Sequence, residues 1–165
     1  LALHRLDVVL TDRPAATGSN LRVFSHSLGG LEVGLFGARP LAERFSRNFP
    51  DSLNEAPLLL PTRHNVLRGH IDRWLENARI RPQIVGEFED SALLHTFGRA
   101  GAGLFPAPLA LAEEVATQFQ AYPVGQLAGV EERIFAISNE RRIKHPLVEA
   151  LCAAPLSTAT TPDRP

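Results

Sequence analysis

The sequence predicts an α/β protein, and three observations predict it. Short apolar runs alternate with helical patterns through the middle of the chain. Several of these runs end in polar residues of the kind that start helices. Hydrophobic residues make up 44% and charged residues 21% of the 165, which is enough for a real core under a polar surface.

Taken in order, residues 5–11 form a valine- and leucine-rich run, and "TDRPAATGSN" breaks it with Asp, Pro and Gly. "LRVFSHSL" and "LEVGLFG" follow as two strands on either side of Gly29 and Gly30, each alternating loosely as a half-buried sheet does. "PLAERFSRNF" predicts a short helix with Pro40 in its first turn, where a missing N–H costs nothing. "APLLLP" is a buried strand, because three leucines between prolines are too few for a helix.

Thr62 is the expected N-cap of the longest helix, residues 63–79. Leu67, Ile71, Trp74, Leu75 and Ala78 fall on one stripe of that helix, its expected buried face. "RPQIVGEF" returns as a strand. Asp90 then caps a helix whose Leu93, Leu94 and Phe97 are expected to face inward, and the glycines from Gly98 to Gly103 close it. "GLFP" is the next strand. A helix from Pro108 to about Phe119 carries Ala112, Val115, Ala116 and Phe119 on one face. "RIFAIS" is a strand, Pro146 opens a last helix through Cys152, and the Ser/Thr/Pro-rich stretch 153–165 reads as a disordered tail.

Composition removes several function classes. The formal net charge is -1 with Arg and Glu intermixed, which argues against holding nucleic acid by phosphate neutralisation. No apolar run approaches the roughly 20 residues of a membrane span. Cys152 is the only cysteine, so no disulfide forms within one chain and a cytoplasmic location is expected. The six histidines show no H-x-x-x-H pair, and zinc spacing is absent, so neither metal nor cofactor is expected. Ser25, His26 and Ser27 lie outside any G-x-S-x-G elbow, and Asp90, Ser91 and His95 share one helix, so the chain does not read as an enzyme. "GRAGAG" ends a helix and precedes a strand, the reverse of a dinucleotide loop, and suits a C-cap. The sequence has no methionine and opens almost at once on a strand, which suggests a piece of a longer protein.

Alternating strands and helices predict a mainly parallel sheet, which binds ligands at the carboxyl ends of its strands beside helix N-termini. Leu10-Thr11-Asp12, Leu60-Pro61-Thr62 and Phe88-Glu89-Asp90 are three such ends. Asp90 and Ser91 read as plain caps, or as caps that also offer N–H donors and a hydroxyl to a small polar ligand. Thr62-Arg63-His64-Asn65 reads either as a solvated first turn or as a group suited to an anion.

The order and spacing of "RLDVVLTDRP", "LEVGLFGARPLAERF", "APLLLPT", "GEFEDSALLHTFGRAGAGLFPAP" and "EERIFAISNERRIKHPLVEAL" resemble the effector-binding region of LysR-type transcriptional regulators over residues 3–152. "GEFEDSALLHTFG" and "ERRIKHP" are similar in particular to the NhaR-like branch, activators of a sodium/proton antiporter gene. The resemblance implies a two-lobed periplasmic-binding-protein-like (type 2) regulatory domain of α/β class, with the second lobe complete and the first truncated. Residues 1–12 and 130–152 would form the partial first lobe, 13–21 and 126–129 the hinge crossings, and 22–125 the second lobe.

That likeness further implies the effector-sensing domain of a DNA-binding regulator of transcription. Its partners would be a small-molecule or ion inducer, DNA only through a missing N-terminal domain, and further copies in a dimer or tetramer, with no membrane. Its mechanism would be population shift between lobe arrangements, with no bond made or broken. The positions matching the family's strand ends are Thr11, Asp12, Thr62, Arg63, His64, Asp90, Ser91, Phe105 and Pro106, none of them catalytic or metal-binding. For the NhaR-like branch a response to sodium or alkaline conditions is implied, and Glu87, Glu89, Asp90 and Asp12 are the hard oxygens an ion would use. Glu87 and Glu89 would share one strand face and Phe88 the other. The alternative is a solute-binding module of a transport system, against which "ERRIKHP" weighs.

Overall fold

The computed structural model describes residues 8–15 and 23–138. The expected beginning of the first strand, most of the first hinge crossing, the last helix and the tail lie outside the described residues. The elements in chain order are β1 (Val8–Thr11), β2 (Phe24–Ala38), α1 (Arg39–Phe45), β3 (Pro57–Pro61), α2 (Val66–Ala78), β4 (Gln83–Phe88), α3 (Ser91–Arg99), β5 (Phe105–Pro108), α4 (Ala112–Phe119) and β6 (Ala121–Ser138). The chain divides into two compact units between Leu31 and Glu32 and again between Glu131 and Glu132. Both divisions fall inside long strands, β2 and β6, which run on without a break.

The unit Glu32–Glu131 holds both hydrophobic clusters. In it β3 and β4 pair in parallel, with α2 as the crossover. The Leu59 N–H donates to the Leu104 carbonyl at 2.7 Å and the Leu104 N–H to the Pro57 carbonyl at 2.8 Å, a parallel bridge that leads into β5. From there the chain turns antiparallel, because β5 pairs with β2 from Val33↔Pro108 to Phe36↔Phe105. The β3–β4 pair and the Leu58–Leu104 bridge are parallel while the β1–β6 and β2–β5 pairs are antiparallel, so the strands are mixed in direction where the sequence predicts a mainly parallel sheet. Apolar alternation reports which face of a strand is buried, not which way its neighbour runs.

The three leucines of β3 explain the layering. Leu58 and Leu60 join Phe45, Ile71 and Leu75 in one cluster, while Leu59 joins Leu94, Phe105 and Val115 in the other. Successive strand residues point to opposite faces, so an unbroken apolar run marks a strand covered on both. Exposures of 0%, 2% and 0% for the three correspond to roughly 1.5–3 kcal/mol of burial each.

Glycine keeps β2 whole. The sequence suggests two strands flanking Gly29 and Gly30, yet the strand passes through both. Gly29 takes φ 130, a conformation costly for any residue with a Cβ, and so absorbs the irregularity without ending the strand. Gly129, at φ 80 within β6, does the same.

Two helices differ from expectation in detail. α2 begins at Val66, and its N-cap is Asn65, whose Oδ1 accepts the Leu67 N–H at 2.8 Å. Thr62 lies three residues before that cap, where its carbonyl closes a turn by accepting the Asn65 N–H at 3.0 Å. The buried row of α2 is Arg68, Ile71 and Leu75, with Leu67 and Trp74 packed beside it and Ala78 exposed at the helix end. In α3 the inward row is Leu94 and Gly98, whereas Leu93 and Phe97 are 55% and 48% exposed. Gly98 sets this rotation. A Cβ there would collide with the Phe105 ring, so α3 lies close to β5 along that row.

In the other unit β1 pairs antiparallel with β6, from Val8↔Ser138 to Thr11↔Phe135. His26 Nε2 lies 3.2 Å from the Oγ of the buried Ser138. Among the described residues no helix is long and apolar enough to cross a membrane.

Candidate functional site

Parallel pairing of β3 and β4 brings two strand ends together. The Thr62 N–H donates to the Phe88 carbonyl at 3.0 Å, extending the ladder one residue past β3. Beyond Thr62 the loop to Asn65 opens α2, and beyond Phe88 the pair Glu89-Asp90 opens α3. Asp90 caps α3 as expected, its Oδ1 accepting the Leu93 N–H at 2.9 Å. Thr62 is half-buried, while Arg63, His64, Asp90 and Ser91 are exposed. Hydroxyls, a guanidinium, an imidazole and the first N–H groups of α3 thus stand at neighbouring chain ends, which suits a small polar or anionic solute.

The remaining candidates lie elsewhere. Phe105 is fully buried and stacks on Phe36 at a centroid distance of 6.3 Å, and Pro106, also buried, pairs with Leu35. Neither side chain presents a surface to solvent. Thr11 ends β1 in the other unit, where its Oγ1 donates to Asp12 Oδ1 at 3.4 Å and the Arg13 Nε meets the same oxygen at 3.2 Å. On β6, burial first and the Asp12 charge second raise the pKa of Glu132 above the ordinary carboxylate value.

Glu87, one of the oxygens considered for an ion, is already engaged. Arg68 Nη1 donates to its Oε1 at 2.6 Å, and Arg63 Nε approaches the same oxygen at 4.0 Å. The Arg68 hydrogen bond holds the Glu87 carboxyl below its ordinary pKa, against the opposing effect of desolvation. Among the described residues no group of three His, Cys, Asp or Glu side chains comes together to hold a metal ion.

Arg68 is the residue that sequence reasoning missed. It is 1% exposed, and besides Glu87 it donates to the Pro61 carbonyl at 2.8 Å and, through Nε, to Asp72 Oδ1 at 2.8 Å. Burial disfavours its charge, but the hydrogen bonds to Asp72 and Glu87 prevail and the net shift is upward. One signal was available, since position 68 falls on the same helical row as Ile71 and Leu75, where a charge must be paired. Arg63 and Arg68 also line an open hollow of about 300 Å³ between α2 and β4, together with Leu75, Ile80 and Ile84.

The family model for the LysR substrate binding domain matches residues 1–157 of this sequence. The chain belongs to this family. A LysR substrate-binding domain has the two-lobed, periplasmic-binding-protein-like α/β fold. The transcriptional activator protein NhaR of Escherichia coli (strain K12) is 30% identical over 162 residues, covering 98% of this chain and 53% of the relative. NhaR of Shigella flexneri gives the same figures. The chain thus spans about half the length of the curated relatives it matches. Among solved structures, the effector binding domain of QuiR in complex with shikimate is 17% identical with a TM-score of 0.61, covering 91% of this chain and 70% of that one. The regulatory domain of Synechocystis PCC6803 CcmR in complex with 2-PG is 10% identical with a TM-score of 0.63, covering 91% and 72%. For the effector domain of AmpR of Pseudomonas aeruginosa the figures are 17%, 0.64, 91% and 69%. These likenesses establish the LysR effector-domain fold.

Proposed function

We propose that the chain is the effector-sensing part of a cytoplasmic LysR-type regulator that acts on transcription, and that it holds a small solute or ion at the strand ends of the unit Glu32–Glu131. The observation that carries this reading is the Thr62–Phe88 hydrogen bond, which sets the openings of α2 and α3 side by side at the carboxyl ends of two parallel strands. Thr62, Arg63, His64, Asp90 and Ser91 make the contacts. Sensing needs no covalent step: a ligand that binds one conformation better than another shifts the population toward it, by no more than that difference in affinity. The two fold neighbours holding shikimate and 2-PG support a small polar solute as the kind of ligand. DNA contact belongs to a part of the regulator outside this chain, and assembly into dimers or tetramers to the whole protein.

A thermal-shift screen of the native, full-length regulator against sodium salts, pH and small carboxylates tests this reading. A hit whose stabilisation saturates with concentration in the wild type, and disappears in Ser91→Trp, supports it. Equal stabilisation of both proteins contradicts it.

A further inference from the structure

We infer that Arg68 is the positioning residue of this site, a buried guanidinium that fixes the Thr62–Asn65 loop and, by occupying Glu87, leaves Arg63 to the ligand. The inference rests on the reading of Thr62, Arg63 and Ser91 as ligand-facing. Three contacts carry it. The bond to the Pro61 carbonyl holds the last residue of β3, immediately before the loop, to the third residue of α2, just after it. The bond to Glu87 holds the penultimate residue of β4 to the same guanidinium. The bond to Asp72, one helical turn on, fixes the guanidinium itself. One side chain therefore ties β3, β4 and α2 together at the point where the candidate ligand residues begin. Arginine suits this task because its planar fork makes several donor bonds in fixed directions, which a lysine cannot.

The consequence for Arg63 follows from charge. Glu87 Oε1 has Arg68 at 2.6 Å and Arg63 at 4.0 Å. With Arg68 removed, the nearest cation to the Glu87 carboxylate is Arg63, which would swing onto it and away from a solute. A residue that merely filled the core would have no such effect.

Amide hydrogen exchange on the full-length protein separates positioning from stability. The amides of Thr62, Asn65 and Leu67 report the loop, since each donates a hydrogen bond there, and Leu59, bonded to Leu104, reports the core. In Arg68→Met the loop amides should exchange roughly ten-fold faster relative to Leu59 than in the wild type. Arg68→Met/Glu87→Gln removes the orphaned carboxylate as well, so that a failure of the single variant to fold does not decide the matter. Its loop amides should stay fast relative to Leu59 whatever its melting temperature. Loop and core amides changing by one common factor, or loop amides unchanged, would overturn the inference. Should Ser91→Trp leave ligand stabilisation intact, the site reading fails, while the exchange ratio still decides the role of Arg68.

Discussion

The main-chain N–H of Thr62 donates to the carbonyl of Phe88 at 3.0 Å, so the ladder between β3 and β4 outlasts β3 by one residue. That bond places the Thr62–Asn65 loop next to the start of α3, and the cap of α2 is Asn65 at the end of this loop.

Asp90→Ala removes the acceptor for the Leu93 N–H. Loss of an N-cap of this kind costs about 1 kcal/mol, which chemical denaturation of the wild type and variant measures directly. Asp90→Asn keeps a side-chain acceptor and should retain most of the stability.

Gly98→Ala should destabilise despite the roughly 1 kcal/mol that alanine gains over glycine in a helix. The new methyl would collide with the ring of Phe105, which is fully buried and cannot yield outward. Overpacking of this sort costs about 1–3 kcal/mol, so a net loss is expected in the denaturation midpoint.

His95 packs between Phe105 at 5.2 Å and Phe119 at 4.7 Å, and burial lowers its pKa below 6.5. The unfolded chain then binds the proton more readily than the folded one. The stabilisation is complete above pH 6.5 and is lost as pH falls through the lower folded value. Melting temperatures measured across this range should drop in the wild type, and the drop should be smaller in His95→Gln.

Glu132 has the opposite sign. Burial, with help from Asp12, raises its pKa above 4.5, so the folded state holds the proton more tightly than the unfolded one. Stability from this group is present below pH 4.5 and is lost as pH rises through the folded value. Glu132→Gln should therefore raise the melting temperature at neutral pH, with the gain vanishing in acid.

Much of this was legible in the sequence. The triple leucine of β3, the helical row of Ile71 and Leu75, and the Asp90 cap each follow from local pattern, because burial and capping are decided within a few residues. What local pattern cannot carry is the identity of the neighbour. Strand direction in the β2–β5 pair, the passage of β2 through Gly29, and the rotation of α3 set by the Gly98–Phe105 contact all depend on residues distant in sequence. The same holds for the site. Asp90 and Ser91 could be read from their place after a strand, whereas Arg68 acts through Pro61 and Glu87, which only the fold brings to it. Phe105 and Pro106 sit at a strand–helix junction in sequence, but their side chains belong to the core.

Titration calorimetry of the full-length regulator with the solute found by thermal shift, run side by side on the wild type and Ser91→Trp, tests the account most directly. Saturable heat in the wild type and none in the variant, with far-ultraviolet circular dichroism unchanged between them, is the predicted result. The same affinity in both proteins would contradict it.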